Sequence, residues 1–308
     1  MKIKKLKDLD INKPITILVY GDSGIGKTTF ALGAPRPIVI DLDRGLDRVD
    51  ERFSGDSVEY MEVDVYEDIL EFMQSDEIKK YESIVIDTFG KFIDVMFDYL
   101  ARKTPKLRMY NGQPSQAGWG QIKTVATKFI QDLMKLNKNI IFISHAKEEK
   151  RGEEIITRPD ISGASGKELI KEIDLVGFMT NKGGNRTICF EPGDYFTAKN
   201  GLGLNGFIEV PQDNSLFSKI LDKVQKKREN RKKLREEYDE LLSEQDTKLS
   251  KVGTPEDLDL LIKDLKDQET KIIWGSRLIF WNKIKKLAKD KFNMEYDNAS
   301  ERFVACHA

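Results

Sequence analysis

Short apolar runs alternate with longer amphipathic stretches along the first 200 residues. This alternation predicts βα units built around a mostly parallel sheet. The runs are rich in Ile, Val, Leu and Phe, which is typical of strands covered on both faces. We predict strands at Ile15–Tyr20, Ile38–Leu42, Ser83–Asp87, Ile140–Ser144 and Leu175–Met179. We predict helices at Lys27–Leu32, Phe89–Arg102, Gln116–Leu136 and Lys167–Glu172.

The pattern changes after Pro211. Three hairpin-like strands precede the change, at Arg186–Glu191, Asp194–Ala198 and Phe207–Val210. Residues 214–250 are strongly charged with sparse apolar positions, and two further helices follow. We therefore predict an α/β core over residues 1–211 and a charged helical C-terminal region over residues 212–308.

Composition narrows the class of protein. The chain has 308 residues, of which 39% are hydrophobic and 33% are charged, with a formal net charge of −1. No global field attracts nucleic acid, so a DNA contact would depend on local basic patches. The two cysteines have no zinc or disulfide spacing, and the apolar run Ile15–Tyr20 is too short for a signal peptide or a membrane span. We expect a cytoplasmic protein without a membrane partner.

A phosphate-binding motif follows the first predicted strand. Its residues match G-x-x-x-x-G-K-[ST] without exception, and a helix-compatible segment, Thr28–Leu32, leaves it. We expect Thr29 to bind the nucleotide together with the motif. Glycines allow backbone N–H groups to converge on phosphate oxygens. The lysine reaches the β- and γ-phosphates of ATP, and the threonine hydroxyl coordinates Mg²⁺. The motif consists of Gly21, Asp22, Ser23, Gly24, Ile25, Gly26, Lys27 and Thr28.

A second element has the form of a Walker B strand. The apolar run Ser83–Asp87 ends in a carboxylate 60 residues after Lys27. A carboxylate at this place holds the magnesium ion of a P-loop protein, and we expect Asp87 to do so.

The chain lacks the residues that are expected of three classes of P-loop protein. Many AAA-type ATPases carry a Glu directly after the Walker B Asp, where this chain has Thr88. A GTPase is expected to carry Asn-Lys-x-Asp, but Asn181-Lys182 is followed by two glycines. No Arg-rich lid of a small-molecule kinase is evident. The remaining place for a water-orienting carboxylate is a strand that we expect beside the P-loop strand, in the segment Pro37–Asp47.

This segment reads Ile-Asp-Leu-Asp-Arg-Gly-Leu-Asp from residue 40. It resembles the second core strand of the RecA-type recombinase ATPases, which ends Ile-Asp-Ala-Glu-x-Ala-Leu-Asp. The Glu that activates water in that family falls on Asp43, whose side chain is one methylene shorter. The run Ile141–His145 is similar to the RecA strand Ile-Phe-Ile-Asn-Gln, and the Gln that senses the γ-phosphate falls on His145.

The segment Ala198–Gly203 resembles the Lys-x-Arg-x-Gly element of DnaB-type helicases, which reaches the γ-phosphate of a neighbouring subunit. Lys199 matches the Lys, whereas Gly201 stands at the Arg position, and Arg186 is a possible substitute. The resemblance implies self-association as a ring or filament. Over about residues 10–211 it implies a RecA-like P-loop NTPase core with a mainly parallel sheet flanked by helices, followed by an α-helical extension. Chain size and motif order are most similar to phage-encoded RecA-like ATPases of the recombination and single-strand annealing type.

RecA cores bind a DNA strand through two loops, one after the Walker B helix and one after the sensor strand. The matching segments here are 101–118 and 147–167, and both contain basic residues. An aromatic ring in the first segment could stack on a base. Acidic residues dilute the second segment, and ordinary surface or subunit contacts are the alternative for both. The candidate DNA-binding residues are Arg102, Lys103, Lys106, Arg108, Tyr110, Lys147 and Arg151.

We expect a Mg²⁺-dependent ATPase that binds single-stranded DNA as an oligomer and supports phage-type recombination, repair or replication. The C-terminal helices are a possible contact for replication or recombination proteins. Two alternatives stay open, namely a replicative helicase or helicase loader, and a nucleotide-gated interaction module with little turnover. The shortened Asp43 and the glycine at position 201 favour the latter.

Overall fold

The computed structural model describes residues 10–50, 53, 58–267 and 274–306. Its contacts define two compact units, one of residues 12–226 and the other, in its described part, of residues 10–11 and 227–306. The first unit extends beyond the predicted boundary at residue 212. The reason is that the helix after this boundary adds its first apolar residues to the core, namely Leu216, Phe217, Ile220 and Val224.

The strands are short, and most coincide with apolar runs of the sequence. They are β1 (Thr16–Gly21), β2 (Pro37–Asp41), β3 (Glu59–Glu62), β4 (Ser83–Asp87), β5 (Asn139–Arg151), β6 (Glu154–Pro159), β7 (Leu175–Lys182), β8 (Asn185–Cys189), β9 (Lys199–Asn200), β10 (Phe207–Glu209), β11 (Met294–Asp297) and β12 (Arg302–Ala305).

The helices connect these strands and form the C-terminal part. They are α1 (Lys27–Leu32), α2 (Tyr66–Gln74), α3 (Phe89–Lys103), α4 (Gln116–Met134), α5 (Ser165–Glu172), α6 (Leu216–Ser250), α7 (Pro255–Asp267) and α8 (Trp274–Phe292). Short 3-10 turns occur at Leu46–Arg48, Asp76–Lys80 and Pro105–Leu107.

The main sheet has the order β10-β8-β7-β1-β5-β4-β2-β3. The run from β7 to β3 is parallel, and β8, β9 and β10 add antiparallel pairs at one side. Strands β5 and β4 lie between β1 and β2. The prediction that the strand of Asp43 lies beside the P-loop strand was therefore wrong, because two strands later in the chain occupy that gap. The insertion of β5 between the P-loop and Walker B strands is the order of a RecA-like core and confirms the predicted fold class.

Apolar side chains cover both faces of this sheet. Along β1, Leu18 and Tyr20 join the core beneath α2 to α5, whereas Ile17 and Val19 join the core that includes α1 and the start of α6. Successive residues of a strand point to opposite faces, so a strand covered on both sides is apolar throughout. The arrangement confirms the predicted two-sided packing.

The parallel strands end at a common edge, and the register brings the predicted site residues to it. Gly21 at the end of β1 pairs with His145, and Asp41 at the end of β2 pairs with Asp87. Ligands of open parallel sheets bind outside the carboxyl ends of the strands. We therefore expect the nucleotide site at this edge of the sheet.

Strand β5 is longer than predicted. It continues past Ser144 to Arg151 and pairs antiparallel with β6, from Ala146 opposite Pro159 to Arg151 opposite Glu154. The prediction of an open loop over residues 147–167 was wrong, because backbone groups beyond the parallel sheet find partners in a hairpin. Gly152 has a φ of 62° at the turn, a conformation that glycine adopts readily.

Other differences concern short elements. The strand predicted at Asp194–Ala198 is replaced by a single bridge between Thr157 and Phe196 and by the two-residue β9. Sequence reasoning missed β3 and α2, and it missed the hairpin of β11 and β12. The strands β3, β11 and β12 have only four residues each, too few for a clear apolar alternation. The helix α2 does carry an amphipathic pattern, with Tyr66, Ile69, Leu70 and Met73 at helical spacing, and could have been predicted.

The C-terminal unit has an apolar core of its own. Leu258 of α7, Ile284 of α8 and Phe303 of β12 are buried in it. The ring of Trp281 packs edge-on against Tyr296, with the centroids 4.7 Å apart. In the described ranges, no helix combines the length and apolar character that a bilayer span requires.

Candidate nucleotide site

The P-loop follows the buried strand β1 directly. Gly24 and Gly26 have φ angles of 73° and 96°, a region that side chains with a β-carbon rarely enter. A β-carbon at Gly21 would lie 2.4 Å from the carbonyl oxygen of Met179, so this position also requires glycine. The glycines of the motif therefore serve both the turn and the close approach of neighbouring backbone.

Lys27 lies inside the loop. Its ammonium donates to the carbonyl oxygens of Gly21 at 3.0 Å and Asp22 at 2.7 Å, and the residue is 6% exposed. Burial lowers the pKa of Lys27, and the carboxylates of Asp87, Asp22 and Asp43 oppose this effect. A buried ammonium held only by carbonyl oxygens and distant carboxylates is well placed to bind an anion.

The two predicted magnesium ligands, Thr28 and Asp87, contact each other. The Thr28 hydroxyl donates to Oδ2 of Asp87 at 2.7 Å, at the mouth of the P-loop. Within the described ranges, no group of three or more His, Cys, Asp and Glu side chains could hold a metal. Mg²⁺ in nucleotide sites is held by one or two protein oxygens together with phosphates and water, and Thr28 and Asp87 would supply two such oxygens.

Burial controls the ionisation of Asp87. The residue is 8% exposed, and desolvation raises its pKa from 3.8 to about 6, while the hydrogen bond from Thr28 acts in the opposite direction. Nearby Asp41 and Asp43 add to the increase. In the ligand-free site, burial disfavours the ionised carboxylate of Asp87. A cation such as Mg²⁺ at this site would favour the ionised form.

We expect Asp87→Asn to stabilise the ligand-free chain. A folded-state pKa of about 6 against 3.8 means that Asp87 makes a contribution to stability that is fully present below pH 3.8 and is lost as the pH rises through 6. The difference corresponds to about 3 kcal/mol. The free energy of unfolding in urea should therefore rise by up to about 3 kcal/mol in the variant at pH 7.5, and by less at pH 5. Asp47→Asn is the control, since that side chain is 80% exposed. An equal loss of stability at both pH values would contradict the expectation.

Asp43 and His145 meet across the cavity. Nε2 of His145 lies 3.8 Å from Oδ2 of Asp43, although the two residues are far apart in the sequence. The backbone N–H groups of Leu42 and Asp43 both donate to the carbonyl oxygen of Asp87, at 2.7 and 3.2 Å. These bonds fix the end of β2 to the Walker B strand. A carboxylate and an imidazole thereby face one space beside the predicted metal ligand.

These groups line one cavity of about 180 Å³ at the carboxyl edge of the sheet. Sequence reasoning missed Gly45, Arg48 and Val49, which form its outer wall. A signal was available, because all three follow Asp43 closely in the same segment. The described lining residues are Ser23, Gly24, Gly26, Lys27, Thr28, Thr29, Asp43, Gly45, Arg48, Val49, Asp87, Thr88 and His145.

Lys199 lies elsewhere. Its ammonium donates to the carbonyl oxygens of Ile170 and Lys171, both at 2.8 Å, where it caps the end of α5. It is not among the described residues that line the cavity. A role towards a neighbouring subunit stays a prediction. A β-carbon at Gly201 would lie 2.8 Å from the carbonyl oxygen of Asp174, so this position cannot hold an arginine without a backbone shift.

The predicted DNA-binding residues of the first segment differ in their contacts. Nη2 of Arg102 donates to both carboxylate oxygens of Glu67, at 2.8 and 3.1 Å. Arg108 pairs with Asp98. Lys103 lies over the ring of Tyr99, 4.3 Å from its centroid. No such partner occurs within the described ranges for the side chains of Lys106 and Tyr110, and Tyr110 is fully exposed.

The second segment contains the hairpin of β5 and β6. Lys147 lies 3.0 Å from Asp160, and the side chain of Arg151 is outside the described part of the structure. The hairpin begins directly after His145.

Comparison with known proteins agrees with this geometry. Residues 13–202 match the family described as the AAA domain. A curated relative is the SPbeta prophage-derived uncharacterized protein YorG of Bacillus subtilis, 23% identical over 143 residues. The match covers 44% of this chain, which spans 42% of the relative's length.

Among solved structures, a KaiC-like protein, PH0186 of Pyrococcus horikoshii, covers 65% of this chain and 90% of its own. It is 17% identical, with a TM-score of 0.38. The family match extends over more than half of the chain and includes every residue of the cavity. The chain belongs to the AAA domain family, and its core is that of a RecA-like P-loop ATPase.

Proposed function

We propose that the chain hydrolyses Mg²⁺-bound ATP and uses this turnover on single-stranded DNA. The observation that supports hydrolysis is the meeting of five side chains at one cavity: Lys27, Thr28, Asp43, Asp87 and His145. Together they supply the three requirements of phosphoryl transfer, which are a phosphate clamp, a metal site and a group that orients water.

Each residue has a separate task. Lys27 exchanges its carbonyl partners for the β- and γ-phosphates, which replaces weak neutral acceptors by anionic ones. Thr28 and Asp87 would hold Mg²⁺, which supplies charge neutralisation at the β- and γ-phosphates.

Asp43 orients the attacking water and accepts its proton. Its backbone is tied to Asp87, so the carboxylate has a fixed position relative to the metal ligand. His145, whose Nε2 lies 3.8 Å from Oδ2 of Asp43, faces the same cavity and would donate a hydrogen bond to the γ-phosphate or to the same water. The shorter side chain of Asp43 thus has a partner on the opposite wall of the cavity.

Single-stranded DNA is the substrate that best fits the loop between α3 and α4. Backbone bonds from Met109 to Gln113, at 2.8 Å, and from Gly112 to Met109, at 2.9 Å, close the loop tightly. The ring of Tyr110 and the side chain of Met109 are exposed at its tip, with Lys106 nearby in sequence. An exposed aromatic ring with a lysine four residues away in the sequence would combine stacking with phosphate attraction. We propose that the paired Arg102, Lys103 and Arg108 take part after exchange of their acidic or aromatic partners.

The β5–β6 hairpin would couple the nucleotide to DNA. His145 belongs to the cavity, and Ala146 begins the hairpin that contains Lys147 and Arg151. A shift of His145 towards a γ-phosphate would therefore move the first residues of the hairpin. We propose that the chains assemble as a ring or filament in the cytosol, in which Lys199 leaves the end of α5 and reaches a neighbour's nucleotide. The C-terminal helices would then be free to bind replication or recombination proteins.

The prophage origin of the Bacillus relative supports a role in phage-type recombination, repair or replication. A replicative helicase or loader is the second candidate, favoured by the Lys199 element. Strand separation by the purified chain would select this candidate, and annealing without unwinding would oppose it.

Phosphate release with and without an oligonucleotide tests the proposal. The wild type should release phosphate with Mg²⁺ but not with EDTA, and faster with single-stranded DNA. Tyr110→Ala should weaken DNA affinity roughly five- to a hundredfold, since stacking contributes about 1–3 kcal/mol per base. Tyr60→Ala is the matched control, because Tyr60 is also exposed but belongs to the edge strand β3.

Two results would contradict the proposal. Absence of phosphate release under every condition would leave only the nucleotide-gated interaction module. Unchanged DNA affinity in Tyr110→Ala would exclude this loop as the DNA contact.

A further inference from the structure

Arg186 reaches the P-loop of its own chain. It is a residue of β8, two positions before Ile188 in the sequence and opposite Asn181 of β7, and Ile188 pairs with Met179, which in turn pairs with Gly21. The register therefore places Arg186 at the carboxyl edge of the sheet, next to the loop. A β-carbon at Gly26 would lie 2.7 Å from Nη1 of Arg186. The guanidinium lies against the backbone that cradles phosphate.

The guanidinium is half-buried and lacks a counter-charge. Nη2 donates to the carbonyl oxygen of Pro211 at 3.3 Å, and within the described ranges no carboxylate forms an ion pair with Arg186. A partly desolvated cation beside an anion cradle gains most when an anion binds. The Pro211 contact holds one arm of the planar group, which leaves Nη1 directed towards Gly26.

The cavity beside the P-loop also contains a further cation and an imidazole. Arg48 and His145 line it together with Asp43. Backbone N–H groups of a P-loop cradle the α- and β-phosphates, while the P-loop lysine reaches the β- and γ-phosphates. A group beside Gly26 is therefore on the side of the α- and β-phosphates.

We propose that Arg186 binds the α- or β-phosphate of the nucleotide in the same chain, rather than the γ-phosphate of a neighbour. The inference rests on the nucleotide binding of the proposed function, but not on hydrolysis or on DNA. Arg186 is then a nucleotide-positioning residue that ADP and ATP use equally.

A contact of Arg186 that is the same for ADP and ATP predicts a distinctive effect on KM and kcat when it is removed. Removing a contact made alike in the ground state and the transition state raises KM and leaves kcat nearly unchanged. A contact to the γ-phosphate would instead weaken ATP alone and lower kcat. The two roles are thus separable by measurement.

The test uses Arg186→Gln, which retains an amide donor for Pro211, and Arg186→Lys, which retains only the charge. Titration with fluorescent ADP and with a non-hydrolysable ATP analogue should show affinities reduced by similar factors, roughly ten- to a hundredfold for Gln. Arg186→Lys should lose less affinity than Arg186→Gln. The matched control is Lys182→Ala, a charge removal on the same hairpin, and it should leave both affinities unchanged. Unchanged melting temperatures would exclude misfolding of the variants.

Mixing two variants distinguishes binding of Arg186 to the nucleotide of its own chain from binding to the nucleotide of a neighbour. Lys27→Ala chains retain Arg186 but should bind nucleotide poorly, so an excess of them should not restore the affinity of Arg186→Gln. Restoration would overturn the proposal, as would unchanged ADP affinity or a loss confined to ATP. A wild type that binds nucleotide without hydrolysis would refute the proposed ATPase but leave this test valid. A wild type that binds neither nucleotide would overturn both.

Discussion

Asp43→Asn should lower kcat for ATP hydrolysis by about 10²–10⁴-fold, because a positioned general base contributes that much. Asparagine keeps the size of the side chain but cannot accept the proton of the attacking water. The backbone bonds that fix residue 43 to Asp87 do not involve the side chain, so the site should keep its shape. ATP affinity should therefore stay within a small factor of the wild type. Phosphate release at saturating ATP, together with nucleotide titration, measures the two quantities separately.

The control for this variant is Asp47→Asn. It removes the same charge four residues later, and its side chain is 80% exposed. A loss of kcat in the control comparable with that of Asp43→Asn would indicate a general charge effect instead of a catalytic role. Equal, near-zero rates in the wild type and in Asp43→Asn would refute the proposed enzyme.

Lys27→Ala should strongly weaken nucleotide binding. The ammonium is buried, and its contacts with the carbonyl oxygens of Gly21 and Asp22 are available for exchange with phosphate. We expect the affinities for ATP and ADP to fall by roughly ten- to a hundredfold, the value of hydrogen bonds to a charged group. Hydrolysis should fall further, since charge develops on the transferred phosphoryl group in the transition state.

Stability provides the internal check on Lys27→Ala. Burial lowers the pKa of Lys27, so removal of the ammonium relieves a desolvation cost. The melting temperature of the ligand-free variant should not fall greatly, whereas stabilisation by ATP should disappear. Lys79→Ala, an exposed lysine in a surface pair, should change neither quantity. Full stabilisation of Lys27→Ala by ATP would exclude the P-loop as the site.

The paired surface charges limit what residue type alone can predict. Arg102, Arg108 and Lys147 are basic residues in segments expected to bind DNA, yet each faces an acidic partner. Tyr110 and Lys106 look no different in the sequence, but among the described candidate residues of the first segment theirs are the side chains with neither an acidic nor an aromatic partner. Whether a basic side chain is available to bind DNA depends on neighbours from other elements, such as Glu67 of α2, and therefore on the fold.

The sequence by itself determined the phosphate-binding loop, the Walker B strand and the two-sided packing of the sheet. These features depend on contiguous residues: glycines with special backbone angles at Gly24 and Gly26, and apolar runs that end in Asp87 or Ser144. Local sterics and the alternation of side chains between two faces are readable without knowledge of the fold.

Only the tertiary structure decided which distant groups meet. The register of parallel strands sets Asp43 within 3.8 Å of His145, and the β7–β8 hairpin brings Arg186 against Gly26. It also extended β5 into a hairpin and gave Lys199 its contacts at the end of α5. The contacts of Asp43 with His145 and of Arg186 with Gly26 follow from strand order and register, which join residues more than a hundred positions apart and leave no periodic signal in the sequence.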